Sequence, residues 1–324
     1  MLHPQYSISV SGAREVEPSS NDLLSLRVDL HLDIPADSCR LTLRPGKWIG
    51  DIKKKDPTTV SLGYDEDLQE VFTGWLDTVE HGISQARTHF LGGSIKLLNS
   101  RVNEIYTDQT AGGIVRDLAG KAGLGVDEIQ DGLDLPSYYV DNSHNAYDHV
   151  RELAERCAFD VYTTPHGSLV FKKYEPASTH PLEYGKNIIS IDAVFRESAY
   201  QSVKAYGESP SSRKGDDTTN WLTKDDISGE VGSGNQLEIV DPAIRDTDTA
   251  QKVAQARLKV LSLSKFFKIV VVGSPKIRLG DAVEIKNMPD IYLNGKLKVM
   301  RVEHILNKSE GFTTHIECAG EVVK

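Results

Sequence analysis

The side chains able to do chemistry in this chain are numerous but scattered. Ten histidines are spread over 324 residues. His81 and His304 each close an apolar-alternating run, where a hydrogen bond in the interior or at an interface suits them better than catalysis. His144 and His149 stand five apart in and near a helical segment. That spacing does not set two imidazoles on one helix face, so no metal pair is expected there. Asp65-Glu66-Asp67 reads as a solvated turn. Asp216-Asp217 and Asp225-Asp226 sit in a polar stretch without the alternating ligand spacing of a calcium loop. Lys53-Lys54-Lys55 reads as an exposed loop edge. A pair of carboxylates for glycoside hydrolysis would have to converge from distant positions. Cys39, Cys157 and Cys318 lie far apart with no C-x-x-C, which speaks against a disulfide framework and a cysteine-rich zinc site. Phosphate-cradling glycine loops, the G-x-S-x-G elbow and H-E-x-x-H are all missing. The expectation is therefore no catalytic, cofactor-binding or metal-ligating residue, and no cofactor.

Bulk composition narrows the class further. Hydrophobic residues make up 39% and charged residues 26%, enough apolar material for a large core. The net charge of −10 argues against a general nucleic-acid-binding surface. The most apolar run, FFKIVVVG (266–273), is too short to cross a bilayer as a helix. The first residues, MLHPQYSISV, lack a basic region followed by an apolar run, so no secretory signal is expected.

The elements that must position these groups begin with β structure. LLSLRVDLHLDI (23–34) alternates strictly from Leu24 to Ile34, with Ser25, Arg27, Asp29, His31 and Asp33 between the apolar positions. Eleven residues at about 3.3 Å each predict a strand of roughly 36 Å with a charged outer face. Tyr6–Val10, SCRLTLRP (38–45), TVSLGY (59–64) and EVFTGWLDTVEH (70–81) add further strands, and GGSIKLLNS (92–100) closes this β-rich region. DQTAGGIVRDLAGKAGL (108–124) then predicts a helix capped at Thr110 and ended by Gly123. NSHNAYDHVRELAERC (142–157) predicts a second, capped at Ser143 or Asn145. FDVYTTPHGSLVFKKY (159–174) reads as a hairpin turning at Pro165-His166-Gly167. The segment 207–236 is polar and reads as a long mobile loop anchored by Trp221-Leu222. A capped helix over 246–263 is followed by strands at 268–272, 281–286, 295–306 and 312–318.

Two segments echo each other. VSLGYDEDLQEVFTGWLDTVEH (60–81) and VEIKNMPDIYLNGKLKVMRVEH (283–304) align without a gap over 22 residues. Val60 meets Val283, Leu62 meets Ile285, Leu76 meets Val299, and Val79-Glu80-His81 meets Val302-Glu303-His304. Only five positions are identical, but the apolar spacing is kept, which points to two related β units.

Taken in order, EVFTGWLDTVEH, DQTAGGIVRDLAGKAGL, NAYDHVRELAERCAFDVYTTPHGSLVFKK and IRLGDAVEIKN…LNGKLKVMRVEHILNKSEGFTTHIEC cover most of the chain. Together they resemble the phage late control gene D family, the baseplate hub proteins of contractile tails, and the hub portion of VgrG-type spike proteins. Loop 207–236 has no match in that pattern, and Leu297 stands where the family often has Tyr. The resemblance implies an α+β, mainly β fold with two tail-tube-like β-barrel domains, 1–100 and 186–324, around a small α/β domain at 101–185. It implies a homotrimer that joins a sixfold tail tube or tube-initiator protein on one face to a threefold spike on the other. No enzymatic activity, membrane span or specific nucleic-acid binding goes with it. Assembly would take place in the bacterial cytoplasm, into a virion or an injection particle. Strand 24–34 would then line a channel. Two other readings stay open: a tail-associated cell-wall hydrolase, and a carbohydrate- or receptor-binding β protein.

Overall fold

The computed structural model describes residues 3–10, 14–46, 53, 56–207 and 227–321. The fold is mainly β, with 51% of the described residues in strands and 17% in helices. The first stretch holds β1 (Pro4–Val10), β2 (Arg14–Val16), β3 (Leu23–His31), β4 (Ser38–Leu43), β5 (Pro57–Tyr64), β6 (Asp67–His81) and β7 (Ala86–Gly92). The middle holds α1 (Ile95–Leu98), β8 (Glu104–Thr110), α2 (Ala111–Ala122), β9 (Val126–Ile129), β10 (Asp134–Val140), α3 (Ala146–Cys157), β11 (Phe159–Thr163) and β12 (Leu169–Lys173). The remainder holds β13 (Thr179–Glu183), β14 (Ile188–Phe195), β15 (Ser202–Tyr206), β16 (Ser228–Gly232), β17 (Gln236–Val240), α4 (Thr247–Leu261), β18 (Lys265–Val272), β19 (Ala282–Lys286), β20 (Gly295–Asn307) and β21 (Gly311–Gly320).

Thirteen of these strands form one sheet. Its path runs β14-β18-β21-β20-β3-β4-β7-β6-β5-β1-β2, with β13 and β19 attached beside β20. The path contains the same arrangement twice. In chain order, β1, β3, β4, β5, β6 and β7 pair as 1-5-6-7-4-3, while β13, β14, β18, β19, β20 and β21 pair as 13-19-20-21-18-14. Irregularities repeat as well. The β6–β7 register shifts between Leu76 and Thr78, and the β20–β21 register between Val299 and Arg301, which are the same positions in the gapless alignment. The β3–β4 ladder shifts between Leu23 and Ser25, and the β14–β18 ladder between Ile188 and Ser190. A bulge bends its strand locally and is a specified feature, so two coincident bulges tie the halves together far more tightly than five identities.

The halves also differ. β1 pairs β5 antiparallel, whereas β13 pairs β19 parallel. β5 and β6 are joined by a tight turn at Asp65-Glu66, with Asp65 left-handed at φ 50°. β19 and β20 are separated by residues 287–294. Neither half closes on itself as a barrel among the described residues. They are joined edge to edge through β3 and β20 over a single apolar core containing Leu26, Val28, Leu41, Leu62, Phe90, Ile269, Val283, Val299 and Ile316.

A second core, with Ile114, Leu118, Val150, Leu153 and Phe171, packs α2 and α3 against short strands. The caps follow the sequence: Thr110 Oγ1 accepts from Gly113 N, Asn145 from Asp148 N and Asp246 from Thr249 N, while Gly123 takes φ 68° at a C-cap. Ser143 therefore lies outside the α3 cap. A third core (Val203, Ala205, Ile227, Ile244, Ala250, Val253, Ala254) lies between α4 and the sheet β16-β15-β17. There Gly229 of β16 is required, because a Cβ would stand 2.3 Å from the Gln251 nitrogen of α4.

Three expectations are corrected. The loop at 207–236 contains β16, and β17 starts at Gln236; its proposed anchor Trp221-Leu222 lies outside the described residues. Within residues 92–100, Ile95–Leu98 form a helical turn, α1, that buries Leu97, so the β-rich region closes at β7. β3 ends at His31, and Ile34 is 47% exposed. The Asp33 amide donates to His31 Nδ1 and turns the chain before Pro35.

Candidate functional site: a charged sheet junction and two open edges

β3 positions the charged groups singled out in the sequence. Its apolar residues Leu26, Val28 and Leu30 are buried, so alternation turns Arg27 and Asp29 to the opposite face. β20 lies antiparallel to it, with Arg301 opposite His31, Glu303 opposite Asp29 and Ile305 opposite Arg27. Arg301 grips both Asp29 oxygens, Nε at 2.8 Å and Nη2 at 2.7 Å, and donates to Glu317 at 2.9 Å. Arg27 donates to Glu303, whose side chain is 7% exposed. The three carboxylates hold the Arg301 guanidinium more firmly protonated than usual, chiefly through its hydrogen bonds with Asp29. This network ties the two halves together across their charged face.

His304 sits on the core side of the same junction, 1% exposed, with Nδ1 3.0 Å from Thr314 Oγ1. Burial holds its imidazole down to about 3. Its counterpart His81 is exposed at the end of β6. Asp37, at the end of the turn after β3, is also buried, and this burial raises its carboxyl to about 6. It accepts from Thr163 Oγ1 at 2.8 Å and from the His31 amide at 3.1 Å, clamping β11 to the sheet.

Helical spacing does not govern His144 and His149, and the structure brings them together. Asp141, His144 and His149 each place one ligand-type atom within 4.8 Å of the others. His144 precedes the α3 cap and so escapes helical spacing. His149 has both ring nitrogens engaged, Nε2 with the Asp141 carbonyl at 3.1 Å and Nδ1 with Tyr138 Oη at 3.4 Å. The cluster thus fastens the 141–144 turn onto α3. Lys54 and Lys55 of the lysine run, and Asp216, Asp217, Asp225 and Asp226, lie outside the described residues.

A cleft of about 1110 Å³ opens among α3, β11, α4 and β20. Its two inner carboxylates are each already paired. Asp241 receives Arg156 at 2.6 and 3.0 Å, and Asp160 receives Lys298, whose ammonium also lies 4.7 Å from the Tyr174 ring centroid. Carboxylates paired in this way join elements of the fold.

Besides β2 and β13, which also pair on one side only, two further edges of the large sheet are open among the described residues. β14 pairs only with β18 and ends the sheet. β6 gives residues 67–75 to β5, so on that side 76–81 are open. Sequence reasoning missed the β14 edge because ISIDAVF alternates weakly, and its exposed Ile189, Val194 and Phe195 (57%, 51% and 47%) carry no chemical signature.

Among solved structures, the 43 kDa tail protein of prophage MuSo2 from Shewanella oneidensis superposes with a TM-score of 0.74 at 14% identity, covering 98% of each chain. A tail protein from Neisseria meningitidis MC58 gives 0.74 at 15% identity, over 97% of this chain and 96% of that one. The E. coli c3393 protein, described as a type VI secretion component structurally similar to T4 tail proteins gp27 and gp5, gives 0.62 at 12%, over 98% and 77%. At these identities the likeness is one of fold. No curated protein matches. The model of the Alg8 N-terminal domain matches residues 45–308, and the chain therefore belongs to the Alg8 N-terminal domain family, with a fold shared with phage tail proteins.

Proposed function

We propose that this protein is a structural baseplate hub of a contractile tail or injection system, a homotrimeric adaptor between a sixfold tube and a threefold spike. The observation that carries the reading is the duplication: six strands in one order, repeated with two coincident bulges. Three chains holding two like halves offer six like surfaces around one axis, which meets a sixfold ring on one face while three remaining units meet a spike on the other. Residues 1–100 and 186–324 supply the two halves, and 101–185 the α/β unit. β13 joins the second half from just before that boundary, and β15, β16 and β17 form a satellite with α4. The fold likeness to tail proteins supports the same role. In this reading Arg27, Asp29, Arg301 and Glu303 face the channel, where a charged, non-adhesive wall suits passage of a polymer or effector.

The paired carboxylates of the cleft favour this role over a cell-wall hydrolase. Light scattering on the eluting peak of a size-exclusion column tests it. A mass three times the 35.8 kDa chain is expected. A strict monomer across the accessible concentration range, alone and with tube and spike proteins, contradicts it and favours a receptor-binding role.

A further inference from the structure

We infer that Asp141, His144 and His149 form a binding site for a divalent transition-metal ion of the Zn2+ class, which fastens the turn after β10 to α3. The inference goes beyond the trimeric reading above and does not depend on it. His149 supplies the anchor. It is only 5% exposed, and Nε2 is the nitrogen turned toward the turn, 3.1 Å from the Asp141 carbonyl. Nδ1 lies 3.4 Å from Tyr138 Oη, and that hydroxyl donates to a Glu152 carboxylate oxygen at 3.1 Å. A metal-ligating imidazole usually has such a polar partner for its second ring nitrogen, which fixes the ring and raises its basicity. Because a carbonyl only accepts, Nε2 carries the imidazole proton before the ion binds. On binding, that proton leaves for solvent and Nδ1 takes one up, to be donated to Tyr138 Oη. The ring changes tautomer and stays neutral.

The other two ligands sit at the mouth. His144 Nδ1 is 3.5 Å from Asp141 Oδ1. Donor atoms about 2.0–2.1 Å from a tetrahedral ion stand about 3.4 Å from one another, so this pair already has the required spacing. One ligand-type atom from each of the three residues lies within 4.8 Å of the others, and rotation of the two outer side chains closes the triangle. Those side chains are 64% exposed in His144 and 33% in Asp141, which gives them room to turn, gives the ion a way in and leaves a fourth position for water. The backbone that carries them is held independently of any ion. Arg101 Nη1 donates to the Asn142 and Ser143 carbonyls at 3.1 and 2.7 Å, and the Ser143 amide donates to Asp141 Oδ1 at 2.8 Å. Two imidazoles and one carboxylate suit Zn2+, Co2+, Ni2+ or Cu2+. The six or more oxygens that Ca2+ needs, and the octahedral oxygen shell of Mg2+, are not what this cluster offers.

The test is isothermal titration of ZnCl2 into the untagged full chain, stripped beforehand with a chelator. One saturable Zn2+ per chain is expected, undiminished by excess Ca2+ or Mg2+. His144→Ala and Asp141→Asn should each weaken it about tenfold or more, and Tyr138→Phe, which removes the hydroxyl behind His149, about tenfold. His166→Ala, an exposed histidine on the β11–β12 turn, should leave it unchanged. The His144 side chain is largely exposed, so His144→Ala should stay folded by circular dichroism. Zn2+ should raise the melting temperature of the wild type and not that of His144→Ala, because an ion that binds only the folded chain stabilises it. No saturable Zn2+ in the wild type would overturn the site, and so would equal binding by the wild type and His144→Ala. Either result would leave the oligomeric state, and with it the hub reading, untouched.

Discussion

Arg301→Ala is expected to lower the unfolding free energy by about 2–4 kcal/mol, read as a fall in the urea midpoint at unchanged slope. The guanidinium is the shared cation of Asp29, Glu303 and Glu317, which come from three strands and both halves of the sheet. Without it, three carboxylates face one another at a part-buried site, and Arg27 remains for Glu303 alone. Arg301→Lys should recover less than half of the loss, because an ammonium does not hold both Asp29 oxygens in the planar fork that Arg301 uses. Thr78 is the equivalent residue of the other half and makes no such contacts within the chain, so Thr78→Ala should cost under about 0.5 kcal/mol. Equal losses at 301 and 78 would contradict the view that this ion network locks the two halves together.

The second large effect is in the pH dependence, where two enclosed groups act in opposite directions. His304 titrates at about 3 in the native protein against an ordinary 6.5. Between those values the unfolded chain binds a proton that the native state does not, so stability falls as pH drops from about 6.5 towards 3. Asp37 titrates at about 6 against an ordinary 3.8. Between those values the native state binds the extra proton, so stability falls as pH rises from about 4 to 6. The wild type should therefore be nearly flat between pH 4 and 6 at these two sites and lose stability below 4. Asp37→Asn removes one slope, and its melting temperature relative to wild type should climb from pH 4 to 7. His304→Leu removes the other, and its relative melting temperature should climb from pH 6.5 down to 3.5. That variant starts lower at neutral pH, since the buried Thr314 hydroxyl loses its hydrogen-bond partner His304. Parallel curves for wild type and both variants would contradict these assignments.

Much of this was legible in the chain itself, and the reasons are physical. β3 declared itself because one buried face and one charged face force period-two alternation. α2, α3 and α4 declared themselves through Thr110, Asn145 and Asp246, each a short polar side chain that accepts from the amide three residues on. The echo of 60–81 in 283–304 pointed to equivalent hairpins, although its five identities did not reveal that bulges and strand order repeat as well. β16 and β17 were hidden because SGEVG and QLEIV bury little, and Gly229 is there to let α4 approach the strand backbone. The approach of His144 to His149 was hidden because helical spacing does not apply ahead of a cap. The candidate site was the least legible part. Its open edges consist of unpaired backbone on β6 and β14, and unpaired backbone has no residue type of its own.

The most direct measurement is a cryo-electron microscopy reconstruction of the purified assembly down its axis. Three chains should surround one channel as six alike lobes. Chains that instead meet through residues 101–185, with the duplicated halves away from the axis, would contradict the proposal that a duplicated sheet lets three subunits stand in for six.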